Sequence, residues 1–66
     1  MGLTPEEAQE IVINLLGQGS EIEVLVETNS DWTYVIHYRV LDWEGEVLSD
    51  SDDSFKDAID KALAKR

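Results

Sequence analysis

The apolar residues of this chain change their spacing twice, and the changes divide it into helix, strands and helix. Ala8, Ile11, Val12, Leu15 and Leu16 stand at i, i+3, i+4, i+7 and i+8, the spacing of one buried helical stripe. From Glu21 the period becomes two: Ile22, Val24 and Val26 alternate with Glu21, Glu23 and Glu27, although Leu25 interrupts the polar side. That is the pattern of a strand with one buried face. Helical spacing returns with Phe55, Ala58, Ile59, Ala62 and Leu63. Two such helices and a sheet bury their stripes together only if both helices cover the same sheet face. The predicted fold is α+β, a single domain over residues 1–66 built as helix, three-stranded antiparallel meander and helix (αβββα).

Boundary signals support these elements. Thr4-Pro5-Glu6-Glu7 is a capping box, with Pro5 at the first helical position where its missing N–H is harmless. Gly17 is placed to end the helix. Asn29-Ser30-Asp31 has turn chemistry. Residues 32–41 are dense in aromatic and β-branched side chains, as in a central strand. There Trp32, Tyr34, Ile36, Tyr38 and Val40 share one face, with Trp32 and Tyr38 assigned to the core. Thr33, Val35, His37, Arg39 and Leu41 share the other, where Leu25, Val35 and Leu41 form a candidate contact patch. Asp42-Trp43-Glu44-Gly45 is a second turn, with Gly45 at the position that needs positive φ. Glu46-Val47-Leu48 is a short third strand, and residues 49–53 are a polar connection. Asp53 or Ser54 caps the last helix. Asp53 and Asp57 early, and Lys61, Lys65 and Arg66 late, complement its dipole.

A chain of 66 residues buries only about 60% of its unfolded surface, so every strong apolar position is expected in the core. The absence of cysteine removes disulfides and thiolate chemistry and fits a reducing, cytoplasmic setting. Pro5, Glu6, Glu7 and Glu10 do not resemble a secretory leader, and no apolar run approaches the ~20 residues of a membrane span. The Met1 start reads as a complete small open reading frame.

Chemistry finds few footholds. Asp50, Asp52 and Ser54 stand as at the start of an EF-hand loop, but its sixth and twelfth positions fall on Phe55 and Lys61 instead of Gly and Glu. A looser divalent-cation site within residues 50–53 stands beside the plainer reading of a solvated helix cap. The one histidine, His37, lies mid-strand beside Arg39 and is expected on the sheet surface near Glu23 or Glu27. So small a core cannot wall off a water-excluded acid pair. The expectation is a non-enzyme without cofactor or resident metal.

The order helix, three strands, helix resembles the double-stranded-RNA-binding domain, which grips phosphates with lysines around a K-K-x-A motif opening its second helix. The matching stretch, Asp53-Ser54-Phe55-Lys56-Asp57-Ala58, keeps one Lys among acids. Each phosphate contact relies on a cation displacing counterions, so direct RNA or DNA binding is excluded as a reading.

The charge points the other way. Fifteen acidic residues oppose five basic ones, a net −10, and the first 38 residues hold seven acids and no Lys or Arg. A globule of this length has a diameter of roughly 28 Å, over which duplex DNA carries about 16 charges, so the net charge reaches roughly 60% of that density. Short, cysteine-free, strongly acidic single domains of this kind resemble small phage-encoded inhibitors of bacterial defence, including anti-CRISPR and anti-restriction DNA mimics. The resemblance is one of size, charge and compactness across the whole chain. It implies an inhibitor that occupies a Lys/Arg-lined channel of a protein or nucleoprotein complex in the host cytoplasm. The partner-binding set is Glu21, Glu23, Glu27, Asp31, Asp42, Trp43, Glu44, Glu46, Asp50, Asp52 and Asp53. Trp43, between two acids, reads as an anchor in a basic, partly apolar groove, or as a ring lapping over the edge of a thin core. The alternative function is an accessory or interaction module, homodimeric through a strand edge or the Leu25/Val35 face, whose acidity serves solubility.

Overall fold

The computed structural model describes residues 2–65. Its elements are α1 (Pro5–Leu16), β1 (Glu21–Thr28), β2 (Tyr34–Leu41), β3 (Val47–Ser51) and α2 (Phe55–Ala64). The strands form one open antiparallel sheet in the order β1-β2-β3, the predicted αβββα meander.

The capping box starts α1 as its sequence requires. Thr4 Oγ1 accepts from the Glu7 N–H at 3.2 Å, and Glu7 Oε1 accepts from the Thr4 N–H at 3.1 Å. That backbone bond, with the Thr4 side chain, holds the Glu7 carboxyl below its ordinary range. Ala8 and Val12 are buried, and Ile11 and Leu16 pack against the core. Leu15 stays half-exposed, in an apolar cleft between the helices lined by Leu3, Ile11, Ile59 and Leu63.

Both helices lie on the sheet face of Ile22, Tyr38 and Val40. Val40 is fully buried with Val12, Phe55, Ala58, Ile59 and Ala62, and the Tyr38 ring meets Phe55 edge-on, centroids 4.7 Å apart. Ser54, not Asp53, caps α2, accepting from the Asp57 N–H at 3.1 Å. Asp57 and Lys61 fall in its first and last turns, and Arg66 lies outside the described residues.

Three expectations are corrected. β3 continues to Ser51 instead of ending at Leu48, because Ser49 and Ser51, buried opposite Val40 and Tyr38, satisfy their hydroxyls. Ser49 Oγ donates to the Ala58 carbonyl at 2.6 Å. Ser51 Oγ donates to Asp57 at 2.7 Å and accepts from the Asp53 N–H.

Secondly, β2 begins at Tyr34. Asn29 N–H donates to the Thr33 carbonyl at 2.8 Å and Trp32 N–H to the Asn29 carbonyl at 3.2 Å, a turn that leaves Trp32 at φ 69°. The turn takes Trp32 out of the pleat, and its side chain is 90% exposed instead of in the core.

Thirdly, not every strong apolar residue is buried. Helices of 12 and 10 residues are about 18 and 15 Å long, whereas eight-residue strands reach about 27 Å. The β1–β2 hairpin therefore projects past them, leaving Val24, Val26 and Tyr34 exposed on the helix side. The molecule is correspondingly long, with extents of 39 × 27 × 19 Å.

Candidate partner-binding surfaces

Strand parity puts Glu21, Glu23, Leu25 and Glu27 of β1 on the face the helices leave open, with Val35, His37, Arg39 and Leu41 of β2 and Asp50 of β3. His37 is held there by two carboxylates: Nδ1 lies 3.1 Å from Asp50 Oδ1 and Nε2 3.1 Å from Glu27 Oε2. Arg39 Nε donates to the second Asp50 oxygen at 3.1 Å. Only a protonated imidazole donates from both nitrogens, so Asp50 first and then Glu27 raise the His37 pKa. Partial burial pushes the Asp50 carboxyl up, but its bonds from His37 and Arg39 prevail and hold it below the ordinary range. His37 thus meets Glu27 as expected, while Glu23 stands opposite Arg39 in the ladder register, whose guanidinium bonds Asp50 instead. The Asp50 contact was hidden from a reading that ended β3 at Leu48.

The β2–β3 turn gathers another group. Asp42 Oδ1 accepts from the Glu44 and Glu46 N–H groups, each at 2.9 Å, and carboxylate oxygens of Asp42, Glu44 and Glu46 lie within 4.8 Å of one another. These are the side chains that would meet a cation, although Asp42 Oδ1 already serves two backbone donors. The looser cation site weighed at residues 50–53 against a solvated helix cap is not assembled, because Asp50 turns to His37 and Arg39 on the open face. Trp43 is 73% exposed. It sits against Gly19, where an added Cβ would come within 2.9 Å of the Trp43 Cβ, so the ring flanks the α1–β1 connection.

The eleven predicted residues do not make one patch. Glu21 pairs with Leu41, next to Asp42, which joins Glu21 and Glu23 to the Asp42, Glu44 and Glu46 turn with Trp43. Glu27 and Asp50 are tied to His37. Asp31 lies at the opposite end of β2, its carboxyl held below the ordinary range by the Thr33 hydroxyl and N–H. Asp52 and Asp53 lie exposed in the connection to α2. Over 39 Å a duplex carries about 23 charges, so the net −10 is under half that density, less than a compact globule would give.

Sequence reasoning missed the exposed end of the hairpin: Val24, Val26 and Tyr34 on the helix side, and Trp32 in the turn. For Trp32 the available signal was the spacing shared by the β1–β2 and β2–β3 turns, since Asn29-Ser30-Asp31-Trp32 parallels Asp42-Trp43-Glu44-Gly45. No family model matches this chain, and neither curated proteins nor solved structures gave a match. Among the described residues no helix is long and apolar enough to cross a membrane.

Proposed function

We propose that this protein acts by binding a basic surface of a protein or nucleoprotein complex, most sharply as an inhibitor that takes the place of nucleic acid in a bacterial defence complex. The observation that carries this reading is the unneutralised acidic end formed by Glu21, Glu23, Asp42, Glu44 and Glu46. The ion pairs among the described residues use other acids: Glu27, Asp50, Asp57 and Asp60. A Lys/Arg-lined channel would meet that end with little competition from the protein's own cations, and attraction would speed encounter and weaken with salt. Exposed Trp43 beside it supplies an apolar anchor. The reading is non-catalytic and includes no direct contact with nucleic acid.

The test is displacement of labelled duplex from CRISPR effector and restriction complexes, with the salt concentration varied between about 50 and 200 mM. Displacement that fades with salt and disappears in a Glu21→Lys, Glu44→Lys, Glu46→Lys variant supports the reading. Displacement indifferent to both overturns it. A second reading, a small interaction module whose acidity serves solubility, is favoured by the exposed Val24, Val26, Trp32 and Tyr34.

A further inference from the structure

The long edge of the sheet is open, and its backbone is arranged to receive another strand. The turn bond from Asn29 N–H to the Thr33 carbonyl fixes the parity of the β1–β2 ladder, since bonded pairs alternate along antiparallel strands. Glu21, Glu23, Leu25 and Glu27 direct their N–H and C=O groups to β2, and Ile22, Val24, Val26 and Thr28 direct theirs outward. The first outward positions are already occupied: Ile22 N–H donates to Gln9 Oε1 at 2.8 Å, and Gln9 Nε2 donates to the Ser20 carbonyl at 2.9 Å. Beyond that fence, Val24, Val26 and Thr28 offer a free row ending at the hairpin turn.

Folded proteins blunt such edges with short strands, bulges, Pro or charged side chains, Lys above all. β3 is short, five residues, and bulged opposite Val40 and Leu41. β1 has eight residues, EIEVLVET, with no Pro, Gly or Lys; its charges are three Glu on the open face, which guard the edge against an acidic strand and not against a basic one.

The two sides of this edge differ in chemistry. On the helix side stand Val24 and 63%-exposed Val26, and next to Ile22 in the same row begins a shallow, mainly apolar groove of about 480 Å³ lined by Pro5, Ile13 and Ile22 with Gln9, Glu6 and Glu10 of α1. On the open side stand Glu23 and Glu27 around Leu25. We propose that the β1 edge at residues 24–28 accepts an extended segment of a partner as a fourth strand, and that this segment alternates apolar and basic side chains. Side chains opposite Val24 and Val26 fall on the apolar helix side, and those beside Glu23 and Glu27 fall among carboxylates. Exposed Trp32 lies in the turn at that end of the edge.

A second copy of the chain fits less well. Pairing two β1 edges about Val26 brings Glu23 and Glu27 of each copy to the same face and joins two chains of net charge −10. A basic segment turns the same positions into attraction.

The inference goes beyond the proposed inhibition and fails separately from it. The probe is a capped peptide of about eight residues alternating Lys and Val, with an alternating Glu and Val peptide as control. Supporting results are amide NMR shifts centred on Val24, Val26 and Thr28, absent with the Glu peptide, and affinity that falls with salt. Val26→Pro removes an outward donor and no ladder bond, so a folded variant should bind about ten-fold more weakly. Should it not fold, Glu23→Lys with Glu27→Lys should weaken the Lys peptide by a similar factor and admit the Glu peptide. Glu44→Lys with Glu46→Lys, which tests the acidic end, should leave amide shifts at these three positions in place. Shifts confined elsewhere, unchanged binding by folded Val26→Pro, or sedimentation showing a dimer that Val26→Pro dissociates would each overturn the proposal, the last in favour of a second copy.

Discussion

Trp32 and Gly45 occupy the same place in two turns with the same pair of backbone–backbone hydrogen bonds. In each turn the first residue donates its N–H to the carbonyl four positions on and accepts from the N–H three positions on. The fourth residue has positive φ, 69° at Trp32 and 85° at Gly45. Glycine adopts this conformation freely, whereas an L side chain there costs about 1–2 kcal/mol. Trp32 is too exposed to regain that through burial. Glycine also gains freedom in the unfolded chain, worth about 0.4–1 kcal/mol, so Trp32→Gly should stabilise the protein by a net of roughly 0.5–1 kcal/mol. Denaturant midpoints of the variant and parent decide it, and a lower midpoint would mean that the indole makes contacts worth more than the strain.

His37 gives the fold a pH dependence of definite sign. Unfolded, it titrates near ~6.5. Folded, bonds to Asp50 and Glu27 raise its pKa, so its stabilising effect is complete below about pH 6.5 and lost as pH rises through the raised value. Asp50 is held low, so its contribution is present above about pH 3.9 and lost as pH falls through the lowered value. Both therefore act together between roughly pH 4 and 6.5. The denaturant midpoint should fall between about pH 6 and 8 in the parent, and His37→Gln should remove that part of the fall. An unchanged slope in His37→Gln would assign it to general charge repulsion.

The serines of β3 should behave as core residues. Ser49→Ala leaves the Ala58 carbonyl without its side-chain donor, at about 1 kcal/mol. The Ser51 hydroxyl is the leading cause of the lowered Asp57 pKa, with Lys61 second. Ser51→Ala should therefore move the Asp57 titration upward when followed by carboxyl NMR, while Lys61→Met should move it less.

These serines also show where the sequence stops being legible. The capping box, the α2 stripe and the need for positive φ at Gly45 are local signals, and each appears in the structure. The extension of β3 is not local: small polar residues sit on a buried face only because α2 offers a carbonyl and a carboxylate to them. Strand parity correctly placed Glu21, Glu23 and Glu27 on one face. It could not bring Asp50 to His37 without the longer β3. Trp32 misled for another reason. Its residue type favours a strand interior, and the turn beside it settled its backbone instead.

Val12 and Val26 occupy apolar positions of equal strength in the sequence pattern, yet their removal should have unequal effects. Val12 is fully buried between α2 and the sheet. Truncation to Ala removes two methyl groups at about 0.8 kcal/mol each and leaves a cavity, so Val12→Ala should cost about 2 kcal/mol or more. In so small a core that is a large share of a stability near ~5 kcal/mol, and the melting temperature should drop by roughly 10 °C. Val26 lies on the projecting hairpin, 63% exposed, and Val26→Ala should change stability by no more than about 0.5 kcal/mol. Thermal melts of the two variants separate residues that hold the fold from residues the fold presents. Equal losses would mean that the hairpin end is packed, and that its apolar row is core surface instead of a surface for a partner.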